Sequence, residues 1–319
     1  MKVAVCFTGA LRTVKKTVAY LKMNVCLSEN VHIFAALQND TAEENVVWEE
    51  FFRKELGSNL QSISWFSRSD PVFSENQSRL LNNLTIPENW FQYLRTSGSM
   101  VEYFQLYLAY QAMCKKEMAD KFQYDQLIKY RTDTIFCKPV DFQWLTWTEK
   151  EIAARLDLLE TKLKRAGISA DYKRLHDYFM ATLLDDTGFG TIQTVRAEST
   201  LYPTQQLPQT SAQYKEFLKS GNYILTFRAN LLYLVPRRCF YLVPCLGTMY
   251  GLFKMPTSDA WWFNAEGQFR AACYQSGLNI YDYETEFESK SIYEFDRARY
   301  FDEDYNILHS HMVYCLVRK

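Results

Sequence analysis

The stretch "YDQLIKYRTDTIFCKPV", residues 124–140, decides how the rest of the chain reads. Apolar residues run into Arg131 and Asp133, and the segment then breaks at Lys138 and Pro139. A strand that only fills a core seldom carries a charged pair near its carboxyl end, whereas active-site strands of α/β enzymes often do. Side chains alternate across a strand, so Lys129, Arg131 and Asp133 share one face, and Ile128, Tyr130 and Thr132 the other. Asp133 then falls at the end of the strand where open α/β sheets bind ligands. A carboxylate there can hold a divalent cation that bridges a diphosphate, while the neighbouring arginine counters the same negative charge. An Arg–Asp ion pair at a strand edge accounts for the spacing equally well.

Working outward, the segments before this one alternate between strand and helix patterns. "KVAVCFTGALRTV" is a short buried strand, a turn containing Gly9, and the start of a helix that continues through "KKTVAYLKMNV". "VHIFAAL" is a second strand; a helix through "EENVVWEEFFRKELG" stops at Gly57, and "SISWFS" is a third strand. Residues 68–95, polar, Asn-rich and punctuated by Pro71 and Pro87, read as a long surface excursion. The longest helix signal is "SMVEYFQLYLAYQAMCKKEMADKF", with Ser99 and Glu102 as a capping box and Val101, Phe104, Leu108, Ala112 and Lys115 tracking one face. This order predicts an α/β fold: a central, mostly parallel sheet flanked by helices.

After Pro139 the pattern changes. An amphipathic helix spans residues 148–167 and ends at Gly167, and "SADYKRLHDYFMATLL" reads as another helix. A loop follows to Thr210. "NYILTFRANLLYLV" and "CFYLVPCLGTMYGLF" read as two strands paired through "PRR". Residues 258–277 form a helix, "LNIYDYE" a strand, and "YNILHSHMVYCLV" a last strand. With no internal repeat and no clean linker, 1–319 is expected to be one domain of two lobes, 1–140 and 141–319.

Composition narrows the function classes. Hydrophobic residues make up 48% and charged residues 23% of 319, the balance of a globular chain. The 22 Tyr, 22 Phe and 7 Trp fit a thick aromatic core or, alternatively, carbohydrate or nucleobase stacking. A formal charge of −1 argues against a nucleic-acid partner. The 8 Cys show no C-x-x-C pair and are read as reduced thiols. No segment has the apolar length of a membrane helix and no signal peptide is evident, so a soluble cytoplasmic protein is expected, with the sequons at Asn39, Asn76 and Asn83 unglycosylated.

Further residues bear on chemistry. Gly9 permits a tight turn after the first strand, and Arg12 opens the next helix, where it could meet a phosphate. The segment lacks both the G-x-G-x-x-G and the P-loop patterns. His309 and His311, two apart on a strand, point the same way and could add a nitrogen ligand to a metal at Asp133, or serve structure alone. Glu266 in "FNAEGQF" lies in the first turns of a helix, as an acceptor-binding carboxylate, a general base or an exposed helical glutamate.

Three blocks, "KVAVCFTGALRT", "YDQLIKYRTDTIFCKP" and "WWFNAEGQFRAACYQSGLNIYDYE", together resemble glycosyltransferases of the GT-A fold, notably those of large algal viruses and bacterial polysaccharide clusters. They cover about half the chain. The resemblance implies a hexosyl- or pentosyltransferase that uses a nucleotide-sugar donor, most often UDP-linked, and an oligosaccharide or glycan acceptor. It implies that Asp133 ends the DxD element and holds Mn²⁺ or Mg²⁺, that Gly9 and Arg12 lie by the nucleotide, and that His309 or His311 completes the metal sphere. Glu266 would be the base, with Asp259 the runner-up. Arg131 stands where the first Asp of a full DxD would be, a departure that argues against tight metal binding and leaves open a site of one carboxylate plus a water shell. A nucleotidyltransferase making nucleotide sugars and a catalytically silent carbohydrate-binding protein are the competing readings; "TGALRT" is poorer in glycine than the former normally requires.

Overall fold

Strand β1 (Val3–Ala10) is buried from Val3 to Thr8, which explains its unbroken apolar run: a strand covered on both faces has no need of alternation. The computed structural model in which this is seen describes residues 1–84, 88–96, 98–136, 139, 157, 160–161, 164–165, 167, 195–197, 223–227, 230, 232–251, 253, 264–276, 278–283, 291–292 and 314–317. After β1 come α1 (Val14–Asn24), β2 (Val31–Gln38), α2 (Asn45–Leu56), β3 (Leu60–Phe66), α3 (Pro71–Asn83), α4 (Glu88–Thr96) and α5 (Gly98–Asp120). The chain continues through β4 (Gln126–Arg131), β5 (Thr134–Phe136), β6 (Val195–Ala197), β7 (Tyr223–Phe227) and β8 (Leu232–Pro236). Next are α6 (Leu242–Met249), α7 (Ala265–Gln275), β9 (Asn279–Tyr283), β10 (Ser291–Ile292) and β11 (Tyr314–Val317).

Among the described residues, eight strands form one sheet in the order β3-β2-β1-β4-β8-β7-β9-β6, and three form a second, β10-β11-β5. The first four of the large sheet are parallel, as expected from the alternation of strands and helices. β8 joins β4 antiparallel and β7 joins β8 antiparallel; β7 and β9 are parallel, and β6 closes the sheet antiparallel. The chain leaves β1 toward β2 and β3 on one side, then returns through α3–α5 to β4 on the other. The gap between the carboxyl ends of β1 and β4 is therefore a topological switch point, where open α/β sheets leave a crevice.

Both faces of the sheet are covered. On one, Phe7 meets Phe52 of α2 edge-on at 6.2 Å and Tyr130 of β4 at 6.1 Å. On the other, the small residues Ala4, Cys6 and Ala36 let α5 lie close and bury Met100, Tyr103, Phe104, Leu106, Ala109 and Met113. Much of the aromatic load thus fills the core. Lys115, expected on the inner face of α5, is exposed. Gly57 ends α2 at φ +54 as expected, and the described part of the 148–167 helix closes on Gly167 at φ +68. No helix among the described residues is long and apolar enough to cross a membrane.

Four expectations about elements are corrected. The stretch leading to Thr210, expected to be a loop, contains strand β6, which pairs with β9 at the edge of the large sheet. Residues 68–95 are largely helical: Asp70 caps α3 by accepting from the N–H groups of Val72 (2.8 Å) and Phe73 (3.2 Å), and Pro71 occupies the first helical position. That pair is a helix start, and Phe73, Leu80, Leu81 and Leu94 then bury against the core. "CFYLVPCLGTMYGLF" contains helix α6, because Pro244 suits a first helical turn, where its missing N–H has no acceptor to lose, but not a strand interior. "NYILTFRANLLYLV" is two strands: β7 and β8 pair with each other, Leu225 opposite Leu234. The expected helix in "SADYKRLHDYFMATLL" lies outside the described residues.

Candidate active site

β4 ends at Arg131, and Thr132 and Asp133 turn the chain out of the large sheet into β5 of the small one. Asp133 is thus one turn beyond the strand on which the sequence places it. This turn is fastened from several sides. Thr132 donates its N–H to the Thr8 carbonyl (2.9 Å) and its hydroxyl to the Ala10 carbonyl (2.7 Å). Its own carbonyl accepts from the Thr17 hydroxyl on α1 at 2.6 Å, and the Asp133 carbonyl accepts from Val317 N–H on β11 at 2.6 Å.

Gly9 makes room for this turn. Its φ is +138, and a Cβ there would lie 2.3 Å from the Thr132 hydroxyl oxygen. The glycine thus serves the close approach of the ends of β1 and β4 as much as the turn itself. Arg12 follows, exposed, in a single 3₁₀ turn before α1.

Asp133 is 3% exposed and both of its oxygens accept from Arg131, Oδ1 from Nε at 2.9 Å and Oδ2 from Nη2 at 2.8 Å. Arg131 Nη1 also donates to Glu102 Oε2 of α5 at 3.4 Å. Glu102 Oε1 accepts from the Lys129 ammonium and from Asn230 Nδ2 (2.9 Å), and Lys129 donates to the Asn230 carbonyl. Lys129 is fully buried between the rings of Tyr103 and Tyr233, its Nζ 5.9 and 5.7 Å from their centroids. Burial pushes the Lys129 pKa below the lysine range, against the pull of Glu102. Burial acts the same way on Arg131, but Glu102 and Asp133 outweigh it and raise its pKa, so the guanidinium is permanently charged. Two cations thus meet two carboxylates, the condition under which a buried ionic cluster is tolerable.

Glu102 is the residue that the sequence reading missed. Its S-x-x-E spacing marks a local cap, yet α5 begins at Gly98 with Ser99 already inside it, and Glu102 turns to partners 27 to 128 positions away. Its proximity to charged residues of β4 has no local sequence signal.

Glu266 reaches the site on α7. Asn264, just ahead of that helix, caps it by accepting from Gly267 N–H at 2.6 Å, which gives the "N-x-E" motif its physical meaning. The Tyr103 hydroxyl donates to the Ala265 carbonyl at 2.8 Å and so ties the start of α7 to α5. Gly9, Arg12, Arg131, Asp133 and Glu266 all line one cavity of about 690 Å³, together with Thr8, Arg68 and Glu102. The Thr8 hydroxyl, 1% exposed, has no hydrogen-bond partner among the described residues. Arg12 also borders a neighbouring cavity of about 650 Å³ that Lys15, Lys16 and Trp48 line. Asp259, His309 and His311 lie outside the described residues.

The described residues do not fit a divalent cation. Asp133 gives both oxygens to Arg131, Glu102 is taken up by Lys129, Asn230 and Arg131, and no group of three His, Cys, Asp or Glu side chains arranged to hold a metal occurs among the described residues. A cation at Asp133 would have to displace the guanidinium and then stand beside it.

The sequence matches no protein-family model, and no curated protein matches it. Among solved structures, the crystal structure of mouse xyloside xylosyltransferase 1 in its apo form aligns with 99% of this chain and 97% of its own, at 7% identity and a TM-score of 0.36. A likeness that loose leaves the function to be argued from the residues themselves.

Proposed function

We propose that the chain transfers a sugar from a nucleotide-diphosphate donor, UDP-linked in the first instance, to a hydroxyl of a glycan acceptor. One observation carries this reading: Gly9 and Arg12, Arg131 and Asp133, and Glu266, drawn from the three blocks that resemble GT-A enzymes, all line one cavity at the switch point. Arginines at the carboxyl ends of the strands suit a diphosphate, and a carboxylate in the same cavity suits an acceptor hydroxyl. The neighbouring cavity, with Trp48 beside two lysines, suits the nucleoside. In this scheme residues 1–140 hold the donor and residues 141–319 supply the acceptor side. The likeness to viral and bacterial enzymes rests on the three sequence blocks alone.

The chemistry follows from the roles. The acceptor hydroxyl passes its proton to Glu266 while its oxygen bonds to the anomeric carbon. The bond from that carbon to the diphosphate oxygen breaks, and the departing nucleotide keeps the electron pair. Arg131 and Arg12 meet the charge that gathers on the leaving group. The described residues do not form a site for the expected Mn²⁺ or Mg²⁺, so these steps draw on the chain's own side chains. Asp259 remains the alternative base.

Thermal melts with UDP-, GDP-, TDP- and CMP-linked sugars, followed by assay of nucleotide release with an oligosaccharide mixture, test the reading. One donor class is expected to raise Tm and to release its nucleotide. In Glu266→Gln, kcat should fall by about 10²- to 10⁴-fold while donor binding holds. Pyrophosphate formed from a sugar 1-phosphate and a nucleoside triphosphate would instead indicate a nucleotidyltransferase. A melting shift without turnover would indicate a silent binder.

A further inference from the structure

The same cavity poses a second question, which is what positive charge receives the donor's diphosphate. Arg131 is not a loose surface side chain: its side chain is 18% exposed, Asp133 grips it through two hydrogen bonds and Glu102 through a third. A guanidinium has five N–H donors, so three are committed among the described residues and two are left over. Planar and doubly held, the group loses little freedom on meeting a second anion. Arg12 and Arg68 line the same cavity, and Lys129 stands behind Glu102, drawing on that carboxylate's charge.

Both carboxylates therefore already face a cation. Asp133 and Glu102 neutralise Arg131 and Lys129, and a dication placed among them would meet two fixed positive charges. We propose that Arg131, locked by Asp133 and Glu102, is itself the cation that receives the donor's diphosphate, so that nucleotide diphosphates bind here without a divalent ion. In this arrangement Asp133 and Glu102 are positioning residues: they aim the guanidinium and do not touch the donor. This inference rests on the transfer reading above and specifies its donor subsite.

Calorimetric titration of the full chain with UDP, GDP and TDP, once in EDTA and once in Mn²⁺, separates the two. For whichever nucleotide binds, the proposal expects affinities within about twofold of each other in the two buffers. It expects Arg131→Ala to lose about tenfold or more in EDTA, and Arg131→Lys, which keeps the charge but not the fork, to lose less. Melting curves of both variants exclude misfolding as the cause, and the wild-type comparison stands even if neither variant folds. Binding that weakens about tenfold or more on chelation, or an Arg131→Ala variant that folds and binds like wild type, overturns this inference and leaves sugar transfer standing. No binding of any of the three nucleoside diphosphates in either buffer overturns both.

Discussion

Helix α5 carries a glutamate near each end, and the two serve different purposes. Glu117, near its carboxyl end, accepts from Tyr124 N–H at 2.8 Å and pairs with Arg237, which itself lies against the Phe240 ring. Around it, Lys2 N–H donates to Asp125 and Arg237 N–H to the Asp125 carbonyl, fastening the amino ends of β1 and β4. Glu102, near the amino end of α5, reaches Lys129 and Arg131 toward the opposite end of β4. There the topology opens a crevice, and the residues it holds, Arg131 and through it Asp133, line a cavity. Like chemistry makes a clasp at one end of the strands and a candidate site at the other; the sheet's topology decides which.

Removing each glutamate in turn tests that contrast. Glu102→Ala leaves Lys129 buried without its carboxylate and is expected to lower unfolding free energy by about 3–5 kcal/mol in urea denaturation. Gly9→Ala forces both an unfavourable φ and a contact with Thr132, with a cost of roughly 1–3 kcal/mol that Thr132→Ala should partly recover. Glu117→Ala, whose partner Arg237 is 39% exposed and can turn to water, should cost only about 1 kcal/mol and leave nucleotide binding untouched. A Glu117 variant that abolished binding would erase the distinction between the two ends.

The smallest effect concerns pH. His32, beside Glu117's end of the sheet, bonds the Tyr124 hydroxyl at 2.5 Å. Burial lowers its pKa from 6.5, helped by Lys116 and Lys2 and opposed in part by a hydrogen bond with the Glu29 backbone and by Asp120. The folded protein thus takes up this proton less readily than the unfolded chain. Stability from this group is complete above about pH 6.5 and declines as pH falls below it. Tm measured from pH 7.5 down to 5.5 should fall more steeply in wild type than in His32→Gln.

How much of this was legible in the sequence depended on the range of the interactions. β1 through β3, α5, β4 and α7 announce themselves by apolar periodicity and by Gly57, all local signals. α3 hid because its stabilising contacts are tertiary, and its one local sign, Asp70 before Pro71, resembles a turn. α6 hid because the Leu242–Val243 pair looks like a strand until Pro244 is weighed. Gly9, Arg12, Arg131, Asp133 and Glu266 were nameable one by one. Glu102 was not, since nothing within a turn of it distinguishes a cap from an ionic partner. The pairing of both Asp133 oxygens with Arg131, the bland alternative at the outset, likewise needed the turn at Thr132 to be seen.

Thr132 has one more consequence. Its N–H, hydroxyl and carbonyl bond to Thr8, Ala10 and Thr17 respectively, so the loop bearing Arg12 and the turn bearing Asp133 form one stiff plate. Two walls of the cavity are thereby joined to each other through Thr132. Glu266, on α7, lines the same cavity from an element outside that plate.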